Sequence, residues 1–202
     1  MEYQGNAPGS REAFRLLRAQ LQELCGVCIA LADATDLDNL WRRIVKNAQL
    51  QLNVDGCTYY SMEGDHLRFR VVLSRSLGII SGIDGTEVAD FPRIPLYRED
   101  GEANTDSVAA RVALEGVPVN IPNVERTTHY STSHTRAFDE RMGYQTRSML
   151  TVPVRFQSEP TTGVLQLVNA KNTEGEDVEF DAHRETIASA LAALIAVSSR
   201  LR

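Results

Sequence analysis

A chain of 202 residues with 43% apolar and 24% charged residues has the balance of an ordinary globular protein, enough for one core with appendages and unlike a disordered chain. A net charge of −6 disfavours nonspecific nucleic-acid binding, which needs a basic field, and three cysteines, an odd number, argue against a disulfide framework. No apolar run approaches the ~20 residues that span a bilayer, and the N-terminus carries no basic cluster ahead of an apolar core. The expected compartment is therefore the cytoplasm, with neither a membrane nor a nucleic acid as partner.

Residues 1–9 are polar with Gly and Pro, the composition of a disordered tail. Over 10–34, Phe14, Leu17, Leu21, Leu24, Cys28 and Leu31 recur in steps of three and four, which predicts a long helix. Its stripe either packs on its own domain or pairs with the same helix of a second copy. Thr35-Asp36 can cap a further helix over 36–52, whose Leu37, Leu40, Trp41, Ile44, Val45, Ala48 and Leu52 share one core-covering face. Asp55-Gly56 reads as a turn, 57–62 as a strand, Glu63-Gly64-Asp65 as a tight turn and 66–73 as the returning strand of a hairpin.

Residues 74–105 are rich in Gly, Pro and acidic side chains and poorly periodic, as expected of a lid or binding segment. A short helix is predicted over 106–115, capped by Asp106 or Ser107 and stopped by Gly116. A strand over 117–121, a polar loop over 122–134 and a helical turn over 135–142 follow. Two apolar runs, 148–156 and 163–168, flank the polar segment 157–162 and predict a second antiparallel hairpin, around which the rest is organised. Alternation puts Met149, Thr151 and Pro153 on one side of its first strand and Leu150, Val152 and Val154 on the other. A terminal helix opens at Phe180 or Asp181, with Ile187, Leu191, Leu194, Ser198 and Leu201 again stepping by three and four. Antiparallel strands between long helices make an α+β layer architecture, the terminal helices lying together on one face of the sheet.

No catalytic constellation is legible. Cys25 and Cys28 have redox or half-zinc spacing but fall within the first helix's apolar pattern, without a second pair. His129 and His134 lie in a polar loop near Asp139 and Glu140, without converging ligands. Nothing orients a base beside Ser131 or Ser133, and no phosphate-binding or dinucleotide fingerprint occurs.

The blocks Val119-Asn120-Ile121-Pro122-Asn123-Val124, Phe138-Asp139-Glu140, Gly143-Tyr144-Gln145-Thr146-Arg147-Ser148-Met149-Leu150, Pro153 and Gly163-Val164-Leu165-Gln166-Leu167-Val168-Asn169 together resemble a GAF domain. The flavour is that of cyclic-nucleotide phosphodiesterase regulatory domains and of bacterial relatives that precede HD-GYP phosphohydrolase, adenylyl cyclase or diguanylate cyclase domains. The resemblance covers roughly 36–200 and sets the domain at 35–202. It implies a central antiparallel sheet of about six strands, a ligand pocket with a lid over 74–146 on one face, and a helical dimer face on the other. Of the family's Asn-Lys…Phe…Asp-Glu signature, Asn169 and Phe180-Asp181 are present, Lys171 is displaced by Ala170, and Ala182 stands in place of the Glu. The resemblance implies that Lys171 and Asp181 form a salt bridge behind the pocket. It also implies ligand contacts at Thr58, Val108, Ala109, Asp139, Met142, Thr146 and Gln166, although Met142 replaces a hydroxyl donor and Gln166 an acidic residue. Cyclic AMP or cyclic GMP is the ligand it suggests.

The residues themselves leave alternatives open. An anion could sit at the start of the 106–115 helix, where free amides favour negative charge, unless Asp106 takes those amides as a cap. Arg111 and Arg147 could neutralise such an anion or be plain surface residues. Gln166 either faces solvent or reads a ligand edge. The expected function is a non-catalytic small-molecule sensor that signals through the helices of a homodimer to an output domain or partner. The alternatives are a ligand-free dimerisation module and, third, a small redox enzyme using Cys25, Cys28 and Cys57.

Overall fold

The computed structural model describes residues 37–82 and 91–199, within one compact unit, Leu37–Arg202. The expected tail, the 10–34 helix with its apolar seam, the Cys25/Cys28 pair and Leu201 lie outside the described residues.

Helix α1 (Leu37–Gln51) buries the predicted stripe, Leu40, Trp41, Ile44, Val45 and Ala48, with Leu52 just beyond its end. The chain reverses at Leu52–Asn53, where Asn53 takes a left-handed φ of 47°. The turn expected at Asp55-Gly56 is instead the start of β1 (Val54–Glu63). Packing decides this: a Cβ on Gly56 would stand 2.6 Å from Val168 Cγ2, so the glycine is a close approach between strands. β2 (His66–Ser74) returns antiparallel to β1.

The segment expected as a structureless lid carries two short strands, β3 (Ile79–Ser81) and β4 (Ile94–Pro95), both paired to β2. Buried Leu96 donates its N–H to the Asp65 carbonyl at 2.8 Å, and an isolated bridge joins Tyr97 to Ala103. Backbone pairing thus ties this stretch to the sheet, an arrangement that apolar periodicity does not reveal in pieces so short.

Helix α2 (Val108–Glu115) follows, capped by Ser107, whose Oγ accepts from Ala110 N, and stopped by left-handed Gly116. β5 (Val119–Ile121), helix α3 (Ser133–Met142), β6 (Met149–Val154), β7 (Gly163–Lys171), β8 (Asp177–Val178) and helix α4 (Ala182–Ser199) complete the order. Among the described residues the sheet has eight strands, all paired antiparallel, with the path β3-β2-β1-β7-β6-β5 and with β4 and β8 added on β2 and β7.

Strand alternation divides the core into two layers. Tyr59, Leu150, Leu165 and Leu167 face α1 and α4, which contact each other; Trp41 of α1 packs edge-on against Tyr59 at 5.4 Å. Tyr60, Met149 and Val164 face the other way and pack with α2. The terminal-helix seam needs correction. The buried face of α4 is Ala188, Leu191, Ala192, Ile195, Ala196 and Ser198, and Ser198 Oγ accepts from Trp41 Nε1 at 2.9 Å. Two residues assigned to the seam, Leu191 and Ser198, therefore pack within the domain, whereas Ile187 and Leu194 are half-buried.

Candidate functional site

On the face opposite α1 and α4, the sheet, α2 and α3 enclose a cavity of about 500 Å³. β1, β6 and β7 supply Thr58, Tyr60, Met149 and Gln166, brought together by the pairs Thr58↔Gln166 and Thr151↔Gln166. β2 contributes Phe69 and Val72, three apart and so on opposite faces of a regular strand. A bulge makes the difference: Tyr59 pairs with Val71 and Tyr60 with Phe69, leaving Arg70 as the extra residue. Arg70 turns to Ser61 Oγ at 2.8 Å and to the Glu63 carboxylate.

The polar side chains on the cavity's sheet wall are bonded to one another. Thr58 donates to the Tyr60 hydroxyl, which donates to Gln166 Oε1 at 3.0 Å. Gln166 Nε2 donates in turn to Thr151 Oγ1 at 3.2 Å and contacts Met149 Sδ at 3.3 Å. Gln166 is therefore half-buried and turned to the cavity face rather than to solvent. Burial pushes the Tyr60 phenol up, so it stays protonated as the donor in this chain.

Helix α3 covers the cavity and buries none of its own residues. His134, Ala137, Phe138 and Arg141 line the cavity at positions i, i+3, i+4 and i+7, one stripe of the helix. The segment behind α3 is fixed by two polar knots. Asp139 accepts from Thr146 N and Thr146 Oγ1, both at 2.8 Å. Burial raises the Asp139 carboxyl, and these bonds only partly offset that. Asn169, at φ 55°, accepts from Arg147 N at 2.7 Å and Ser148 N at 3.3 Å and donates to Gln145 O at 2.8 Å and Tyr144 Oη at 3.0 Å. Tyr144, whose ring lines the cavity, donates to Asp55 Oδ2 at 2.7 Å. Burial and the Asp55 carboxylate push the Tyr144 phenol up. Asp55 also accepts from Ser74 and Ser76, and its carbonyl accepts from Gln49 of α1 at 2.7 Å. A bonded path thus runs from the cavity wall through the sheet to α1.

Residues 36–198 match the family model described as GAF domain. The chain belongs to the GAF family. A relative, the dual 3',5'-cyclic-AMP and -GMP phosphodiesterase 11 of Drosophila melanogaster, is 24% identical over 151 residues, 71% of this chain but only 10% of that protein's length. Among solved structures, the GAF domain of a Coxiella burnetii phosphoenolpyruvate-protein phosphotransferase superposes with a TM-score of 0.65 at 14% identity, covering 90% of this chain and 93% of that one. The A. aeolicus nlh2 GAF domain gives 0.64 at 13% identity, covering 93% and 99%. Free methionine-R-sulfoxide reductase from Neisseria meningitidis gives 0.59 at 15%, covering 100% and 97%. These likenesses establish the α+β GAF fold with its open antiparallel sheet.

Within this GAF domain the expected contact residues separate. Thr58, Val108, Ala109, Thr146 and Gln166 line the cavity, whereas Asp139 and Met142 do not. Asp139, on α3 but outside the cavity lining, holds Thr146. The signature residues take structural roles. Lys171 Nζ pairs with Asp177 Oδ1 at 2.6 Å, not with Asp181. Asp181 caps α4 instead, accepting from Arg184 N at 2.7 Å and pairing with Arg184 Nη1 at 2.9 Å. Local geometry prevails, because β8 brings Asp177 beside Lys171 in the ladder. Buried Phe180 offers its carbonyl to Asn120 at 3.0 Å.

The cations expected beside an anion are engaged elsewhere: Arg111 pairs with Glu115 at 2.8 Å and Arg147 with Asp177 at 3.2 Å. Asp106 leaves the cap to Ser107 and accepts from Ser131 at 3.2 Å. Sequence reasoning missed Arg141 and the Phe69, Phe91, Phe138 and Tyr144 rings. The stripe at 134, 137, 138 and 141 was the available signal, hidden by starting the helix at 135. Among the described residues no group of three or more His, Cys, Asp or Glu could hold a metal ion, and no helix is long and apolar enough to cross a membrane. Cys57 is buried, which pushes its thiol well above its ordinary value.

Proposed function

We propose that this GAF domain is a regulatory module whose cavity takes a small molecule and whose occupancy is read by the helices across the sheet. The observation that carries the reading is the cover. α3 lies over about 500 Å³ with no residue of its own buried, so a ligand would complete its packing. The path Tyr144–Asp55–α1 supports a link between occupancy and the helical face. Coupling requires only that the ligand prefer one of two helix arrangements in a homodimer or against a downstream output domain. A buried thiol of raised pKa at Cys57 favours regulation over the redox chemistry of the sulfoxide-reductase neighbour. An open cavity likewise argues against the ligand-free module, which would fill it with its own side chains.

A cyclic nucleotide is one candidate occupant under this reading. The fly relative's name and the start of α2 at Val108 and Ala109 support it. Isothermal titration with cyclic AMP and cyclic GMP, beside a ligand-observed fragment screen, tests both levels. Any cavity binder at 100 times its Kd should stabilise the fold by about 2.7 kcal/mol. A screen without one binder, and a thermal midpoint no compound moves, would sink the sensor reading.

A further inference from the structure

The chemistry of the cavity narrows what it takes, on the footing of the small-molecule reading above. Aromatic rings form one continuous chain around it. Tyr60 meets Phe69 at 4.7 Å, Phe69 meets Phe91 at 5.0 Å, Phe91 meets Phe138 at 6.3 Å and Phe138 meets Tyr144 at 6.5 Å between centroids. Phe91 and Phe138 lie within 29° of parallel. A flat ring inserted between two others needs about 7 Å, twice the ~3.5 Å contact spacing of carbon atoms. An outward movement of α3, none of whose residues is buried, would open the gap that far.

The polar groups point the same way. Thr58, Tyr60, Gln166 and Thr151 are bonded in a chain, so they offer an incoming ligand few partners. A purine nucleotide carries hydrogen-bonding atoms on most of its edges and would leave several unpaired, which is unfavourable on burial. A plain aromatic ring carries no such cost. Charge then selects among aromatic molecules. No Asp, Glu or Lys lines the cavity among the described residues; His134 and Arg141 of α3 do, both exposed, and the Arg141 guanidinium stands 5.8 Å from the Phe138 centroid. Unlike Arg111, Arg147 and Arg184, Arg141 has no carboxylate partner among the described residues. It is exposed, so it stands at the rim, one helical turn from Phe138.

We propose that the cavity takes a flat, otherwise apolar aromatic molecule bearing one carboxylate, its ring lodged among Phe69, Phe91 and Phe138 and its carboxylate paired with Arg141. The guanidinium fork suits a carboxylate, and the ring beneath it keeps the fork in place.

The test is isothermal titration of the full chain with 2-naphthoate, its neutral counterpart 2-naphthalenemethanol, and cyclic GMP. Naphthoate should bind about tenfold more tightly than the alcohol, the margin of one charge-assisted contact. Arg141→Gln should erase that margin, acid and alcohol then binding the variant equally. Phe138→Leu, which keeps an apolar side chain without the ring, should weaken both naphthalene compounds. A thermal melt of each variant certifies its fold. Equal affinity of acid and alcohol in the unaltered chain, or a margin that survives Arg141→Gln, overturns the proposal. Tighter binding of cyclic GMP than of naphthoate overturns it too, while leaving the sensor reading in place. Binding of none of the three, with hits from the fragment screen, removes the aromatic acid alone; a barren screen removes both.

Discussion

A Cβ placed on Gly163 would stand 2.3 Å from the Tyr60 carbonyl oxygen and 3.0 Å from Tyr59 Cε2. The first neighbour is backbone and cannot yield without parting β1 from β7. Gly163→Ala should therefore cost about 1–3 kcal/mol in chemical denaturation, as overpacking does; an unaltered midpoint would show that the strands can separate freely there. Asp55 carries a different kind of constraint. Burial pushes its carboxyl up, but hydrogen bonds donated by Tyr144, Ser76 and Ser74 outweigh it and hold the group below its ordinary value. Its stabilising effect is thus complete above the unfolded value near ~3.9 and is lost as pH falls through the lower folded value. Asp55→Asn should lower stability at pH 7 and flatten the decline below about pH 4. An acid limb as steep as the parent's would assign that decline to other carboxylates.

At the scale of elements, Lys171 and Asp181 exchange the roles expected of them as a pair. The Lys171–Asp177 bridge, with side chains 26% and 28% exposed, joins β7 to β8 near the surface, where ion pairs contribute about 0–1 kcal/mol. Asp181 starts α4, and losing a cap costs about 0.5–2 kcal/mol. In urea titrations Asp181→Ala should be the more damaging change, and the double variant Lys171→Ala, Asp181→Ala should be additive. A coupling between them above ~0.5 kcal/mol would restore the direct bridge. The helices predicted within the described residues and both hairpins are present because each has its own local signal: a buried stripe, a cap, alternation. The segment 74–105 had none, so its strands, two or three residues long, exist only by pairing to β2.

At the scale of the whole molecule, α4 has two faces with different tasks. Leu191 is fully buried, so a charge there would unfold the domain, whereas Leu194 is half-buried and Ser189, Ala190 and Ala193 are exposed. If copies of the chain pair through this helix, Leu194→Arg should convert dimer to monomer in light scattering while leaving the melt almost unmoved. An unchanged mass would take α4 out of the interface.

The sequence by itself determined the layers. The stripe over α1, alternation along β6 and β7, and the motif blocks from Val119 to Asn169 are local patterns, legible because helix and strand periods are built into the backbone. Family likeness grouped Thr58, Val108, Ala109, Asp139, Met142, Thr146 and Gln166, and all of these but Asp139 and Met142 line the cavity. Tertiary structure alone decided what the site is made of. The bulge at Arg70 turns Phe69 and Val72 to the same side, and α3 brings Phe138 and Arg141 over the sheet. Asp177 reaches Lys171 before Asp181 can. Each of these depends on which distant segment arrives alongside, and a one-dimensional pattern does not carry that information.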